Sequence, residues 1–140
     1  MKHEGRRDLP RRKADSPMLT TMNEEQMAAV IDALPMELCF IDHEDIVRFW
    51  NRNDQRGPAW QPSRLGLHVN DCHQPESHPG VMRVVEKLKS GEADVVDRIV
   101  SRNGLVNRFR WLAIRNGSGD YLGCLEIVQR GAEVAAPQAD

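Results

Sequence analysis

Four side chains within eleven residues carry the densest potential chemistry of the chain: His68, Cys72, His73 and His78. Imidazole and thiolate ligate zinc, copper and haem iron, and a single His or Cys suffices as an axial haem ligand. The spacing matches no structural zinc motif. Cys72 and His73 are adjacent, so both can face one metal only across a sharp turn. The other role open to His73 is to cap the loop by hydrogen bonding to backbone, with Cys72 as small apolar packing. Cys72 is also a candidate redox-sensing thiol, because a protonated neighbouring His and a nearby helix start would lower its pKa. No second cysteine is close in sequence, so a local disulfide switch is not expected.

Signatures of catalysis are missing. The chain has no GxSxG, no HExxH and no glycine-rich phosphate loop. Asp42, Glu44 and Asp45 are close together, but they fall where an exposed turn is expected and suit turn chemistry. Cys39 and Cys124 lie on predicted strands and suit a core. Trp50, Trp60 and Trp111 suit either a core or the lining of a pocket. Arg108 and Arg110 mark a solvated strand face or an interface. The expected protein is therefore not an enzyme.

Composition narrows the class further. With 140 residues, 19 Lys+Arg against 21 Asp+Glu and three cysteines, the chain suits one near-neutral domain. Near neutrality argues against a nucleic-acid partner. Three cysteines without CxxC spacing argue for a reducing compartment. Neither a signal peptide nor a membrane-spanning run is visible, so the expected location is the cytoplasm, with no membrane partner. Residues 1–20 predict a disordered basic tail, 21–130 the folded domain, and 131–140 a second tail.

The elements that must position these groups follow from patterning. Asn23 and Gln26 stand at capping-box spacing, and Met27, Val30, Ile31 and Leu34 form one apolar stripe ended by Pro35. Residues 36–51 predict a strand, a turn and a strand. Residues 52–80 predict loops and short helical turns. Val81, Val84, Val85 and Leu88 predict a second helix, with Ser77 as its N-cap and Gly91 as its stop. Three strands follow over 94–101, 105–115 and 121–129, with Asn103-Gly104 as the hairpin signal between the first two. The alternation puts Leu105, Phe109, Trp111 and Ala113 on one face of the middle strand. The sum is an α+β fold: a single antiparallel five-stranded sheet with helices packed on one face.

Two segments, 34–51 (LPMELCFIDHEDIVRFWN) and 115–129 (RNGSGDYLGCLEIVQ), resemble the opening and closing hairpins of the PAS superfamily. Within it, Cys72-His73-Gln74-Pro75 followed by Lys89-Ser90-Gly91-Glu92 is most similar to the PAS domains of the DUF438-type, hemerythrin-associated proteins. The resemblance implies a sensory domain whose ligand sits between sheet and long helix. It admits haem or a metal ion as cofactor without naming one. It points to His73 and Cys72 as ligand-binding residues, with Phe40, Trp50 and Trp111 as walls, and to His73, His78 and His68 for a metal. It further implies a homodimer through the 23–34 helix and the sheet, with signalling through dimer or separate partner contacts. The alternative is a ligand-free interaction module with a packed interior.

Overall fold

A computed structural model describes residues 20–52, 54, 56, 57 and 60–131, with residue 102 described in its backbone alone. Apart from Thr20 and Gly131, the tails expected at 1–20 and 131–140 lie outside the described residues.

The chain begins with helix α1 (Glu24–Ala33), closed at its start by the expected capping box. The Asn23 side chain accepts from the Gln26 amide at 2.8 Å, and the Gln26 side chain accepts from the Asn23 amide at 3.0 Å. Leu34, ahead of Pro35, turns to an extended conformation and ends the helix. Strands β1 (Glu37–Asp42) and β2 (Val47–Trp50) follow. Their tight link is built on Asp42, whose Oδ1 accepts from the amides of Glu44 (2.8 Å) and Ile46 (3.1 Å). Its Oδ2 accepts from Arg48 Nε at 2.6 Å. Burial pushes the Asp42 carboxyl up, but Arg48 and the two amides outweigh it and hold the group below the usual carboxylate range. Asp45 takes a left-handed conformation (φ 66°) in the same turn.

Short 3-10 turns at Pro62–Arg64, Val69–Cys72 and Pro75–Ser77 lead to helix α2 (His78–Ser90). Ser77 does not cap α2 as expected. Its backbone is already helical (φ −85°, ψ −16°), as the last residue of the preceding turn, and its side chain makes no capping bond. At the other end Arg115 Nη2 donates to the carbonyls of Leu88 (2.8 Å) and Lys89 (3.3 Å), meeting acceptors that a helix leaves open. Strands β3 (Val95–Arg102), β4 (Leu105–Arg115) and β5 (Tyr121–Arg130) complete the chain.

All five strands form one antiparallel sheet in the order β2-β1-β5-β4-β3. The last strand thus pairs between the first and the fourth. The ion pair of Arg130 with Glu37 ties the end of β5 to the start of β1. Helix α2 lies on one sheet face, where Val84, Leu88 and Cys124 pack with Val96, Trp111, Ala113 and Tyr121. Leu88 and Cys124 are 0% exposed. Burying Val84, Val85 and Leu88 contributes about 1.5–3 kcal/mol each to holding α2 on the sheet. A second cluster of Cys39, Ile41, Val47 and Val69 packs with Trp50, Trp60, Cys72, Val81 and Met82 at the β1–β2 end.

Asn51 joins α1 to this frame. Its Oδ1 accepts from the Leu38 amide at 2.6 Å, and its Nδ2 donates to the carbonyls of Ile31 and Met36, both at 3.0 Å. Among the described residues no helix is long and apolar enough to cross a membrane.

Candidate ligand-binding cavity

Alternation along the strands sends every second side chain toward α2. On β3 these are Val96, Arg98 and Val100, and on β4 Phe109, Trp111 and Ala113. On β5 they are Cys124, Glu126 and Val128, and on β1 Cys39 and Ile41. Between this face and α2 the packing is incomplete. A cavity of about 400 Å³ remains, walled by Ile41, Val100, Phe109 and Trp111 on the sheet side and Val81, Val84 and Val85 on the helix side. Its polar groups are His73, Ser77, Arg98 and Glu126. The volume lies at the lower end of the about 300–1,000 Å³ of small-molecule pockets.

Glu126 is the unusual member of the set. It stands on the sheet's central strand, opposite Trp111 of β4 and Cys39 of β1. Its Oε2 accepts from Trp111 Nε1 at 2.8 Å. Burial raises its pKa. The Trp111 hydrogen bond and the fields of His73 and Arg56 oppose that rise, and Glu37 adds to it. The net shift is upward, so desolvation dominates.

His73 joins Glu126 at the cavity. Its Nδ1 lies 2.9 Å from the Val69 carbonyl, which can only accept, so Nδ1 is the donor of that bond. The capping role open to His73 is thus filled, and the ring still lines the cavity. His78 lies apart, with Nε2 donating to the His73 carbonyl at 3.0 Å. His68 has both nitrogens engaged: Nδ1 accepts from the Asn70 amide at 3.1 Å, and Nε2 lies 3.9 Å from Asp45 Oδ2. The three histidines are therefore not brought together as a metal site. Among the described residues no group of three His, Cys, Asp or Glu is placed to hold a metal ion.

The other expected site residues divide. Trp111 does line the cavity. Phe40 does not. It lies at the opposite parity from Cys39 and Ile41 and stacks on its β2 partner Phe49 at 6.1 Å. Trp50 packs edge-on against Trp60 at 5.4 Å, in the cluster at the β1–β2 end. Cys72 belongs to that cluster too, with its thiol 3.9 Å from the His68 carbonyl. Burial raises the Cys72 pKa despite Arg64 nearby, so the activated thiol expected from the sequence is not formed. Cys39 and Cys124 are core residues, with thiols pushed up to about 12 by burial.

Several functional residues escaped the sequence. Asp45, expected in an exposed turn, is buried and holds Lys89 Nζ at 2.9 Å, which fixes α2 to the β1–β2 turn. Arg56 is enclosed, donating to the carbonyls of Asn51 and Leu38, both at 2.7 Å, with its guanidinium 4.4 Å from the Trp60 ring centre. Glu126 was missed although the signal existed. Cys124 and Val128 are buried on β5, and residue 126 shares their parity.

A family model described as PAS domain matches residues 27–130. Among solved structures, a C-terminal domain from Streptococcus mutans is similar at 29% identity and a TM-score of 0.70, covering 77% of this chain and 84% of that one. A sensory box sensor histidine kinase from Vibrio cholerae is similar at 13% identity and a TM-score of 0.57, covering 76% of this chain and 90% of that one. The VqmA dimer of Vibrio cholerae, described in the absence of its target DNA and in terms of the DNA-binding mechanisms of LuxR-type receptors, is similar at 14% identity and a TM-score of 0.59, covering 85% of this chain and 56% of that one. No curated protein matches the chain.

These findings correct the expected partners. The same fold occurs within a DNA-binding receptor, so near-neutral charge gives no ground for excluding nucleic acid. The expected homodimer through the 23–34 helix and the sheet is not shown by any of these likenesses. Helix α1 buries none of its residues, and Ala28, Ala29 and Ile31 line an open cleft with Phe49, Trp50 and Asn51.

Proposed function

This chain belongs to the PAS domain family, and from that premise we propose that it is a sensory domain that takes a small organic molecule between α2 and the sheet. One observation carries this reading. The space between helix and sheet is left open, and a carboxyl in its wall has just one hydrogen bond among the described residues. Cores are normally packed to the density of organic crystals, and buried polar groups are normally satisfied. A ligand would restore both. The alternative, a ligand-free interaction module, needs a packed interior, and the cavity stands against it.

His73 and Trp111 are the sequence-expected residues that contact this molecule in our reading, and Glu126 joins them. The Cys72-His73-Gln74-Pro75 box, on which the expected resemblance to hemerythrin-associated PAS domains rests, acts in this reading by holding His73 at the cavity. Binding draws α2 toward the sheet and shifts the population of the loop that carries His73. In this reading the site binds its molecule without turning it over.

Native mass spectrometry of the protein as purified, beside Val81→Phe, tests the proposal. Phenylalanine at Val81 fills the cavity from the helix side. The expected result is a non-covalent added mass on the wild type that the variant lacks. Identical spectra without added mass would count against a retained ligand.

A further inference from the structure

Glu126 has a place in the sheet that costs stability and contributes little to it. A carboxyl on the inner face of the central strand is half-buried against the cavity, and burial raises its pKa. No ion pair within 4 Å relieves it, and no hydrogen bond beyond that of Trp111 Nε1 to Oε2 reaches it, among the described residues. Oε1 is left with no protein partner. The cavity it shares with Ile41, Val81, Val84 and Phe109 also holds His73, Ser77 and Arg98, and none of these hydrogen-bonds to it among the described residues.

We propose that Glu126 is the recognition group of this cavity, and that the molecule it selects is a small, flat, largely apolar ring system carrying an N–H donor for Oε1. This rests on the ligand-binding reading above and adds the chemical class. Three observations set that class. An acceptor oxygen in an apolar wall asks for a donor, and a carboxylate there repels anions. The Phe109 and Trp111 rings stack 6.0 Å apart and 16° from parallel, so the sheet side of the cavity, across from the valines of α2, is aromatic and suits an unsaturated ring. A volume of about 400 Å³ suits one ring or a fused pair rather than an extended chain. The charged and titratable groups around Glu126 are His73 ahead of α2, Arg56 after β2, Glu37 on β1, the thiols of Cys39 and Cys124, and Arg98 on β3 over the Trp111 ring at 5.8 Å. None of these is within bonding distance of Oε1.

The test uses two probes of nearly one shape: indole, which carries an N–H, and benzothiophene, which does not. Each is titrated calorimetrically into the full chain and into Glu126→Gln and Glu126→Leu. The wild type should bind indole roughly tenfold or more tightly than benzothiophene, as expected when a ligand leaves a buried acceptor unpaired. Glu126→Gln keeps an acceptor and should keep a reduced preference. Glu126→Leu should lose the preference while still binding benzothiophene, which shows that its cavity has folded. The Trp111 Nε1–H resonance should move on indole binding to the wild type, because it shares the carboxyl. Equal affinity of the two rings for the wild type, or a preference that survives in Glu126→Leu, would overturn the role of Glu126 and leave the cavity as a binding site. Failure of both rings to bind the wild type would overturn the cavity reading and this inference with it.

Discussion

A desolvated carboxyl in a cavity wall has a thermodynamic signature that Glu126→Gln should erase. Burial raises the Glu126 pKa in the folded chain above its unfolded value. Between those two values the native state binds more protons than the unfolded state. Stability is therefore greatest below the unfolded pKa and falls as pH rises through the folded one. For one proton the limiting slope is about 1.4 kcal/mol per pH unit across that window. Glutamine can still accept from Trp111 Nε1 in place of Oε2, so the variant keeps the 2.8 Å bond and loses only the titration. The assay is urea unfolding of protein refolded from denaturant, to strip any ligand, at steps from about pH 4 to pH 8. The two proteins differ in this one side chain, so the difference between their curves reports the Glu126 carboxyl and the charges coupled to it. The wild type should lose stability relative to the variant as pH rises, with the two nearly equal at the acid end. Parallel curves would refute the argument, because they would mean that the carboxyl is solvated.

Further outcomes follow from the same geometry. Gly123 on β5 has φ +156°, and a Cβ there would sit 2.2 Å from the Ile41 carbonyl oxygen and 2.6 Å from the Phe40 ring. Gly123→Ala should cost about 2–4 kcal/mol and lower Tm by roughly 8–16 °C. A shift of a degree or two in a thermal melt would contradict this contact. Asn51→Leu should cost about 2–4 kcal/mol, because it strands the Leu38 amide and the Met36 carbonyl. It should also expose α1 to limited proteolysis before the sheet, and simultaneous cleavage of both would go against the Asn51 tether. Iodoacetamide at neutral pH should label Cys72 more slowly than a free thiol and leave Cys39 and Cys124 unlabelled, as their raised pKa values require. Mass mapping that finds Cys72 faster than a free thiol would restore the activated-thiol reading.

Local chemistry made much of this fold legible. The Asn23–Gln26 box, the break at Pro35 and the Asn103-Gly104 turn each act within a few residues, so the sequence alone exposes them. Strand parity put Phe109 and Trp111 on one face of the middle strand, and the structure turns that face toward α2. The misses depend on distant partners. Phe40 looked like a wall because it is aromatic, but its parity points it at Phe49 instead. Asn51 and Arg56 look like loop residues until β1 and α1 bring backbone carbonyls to them. His68, Cys72, His73 and His78 are dense in sequence, yet successive 3-10 turns aim them at different backbone groups and leave only His73 at the cavity. Glu126 shows the opposite error. A charge between two apolar inward positions is a visible breach of patterning, and such breaches fall at functional sites.

The most direct test of the central claim is a crystal structure of the ligand-stripped protein under xenon pressure, because xenon enters apolar cavities that side chains leave open. The account predicts xenon between Val81, Val84 and Phe109, with the Glu126 carboxyl still held by Trp111. An α2 closed onto the sheet, with no xenon in that space, would contradict it.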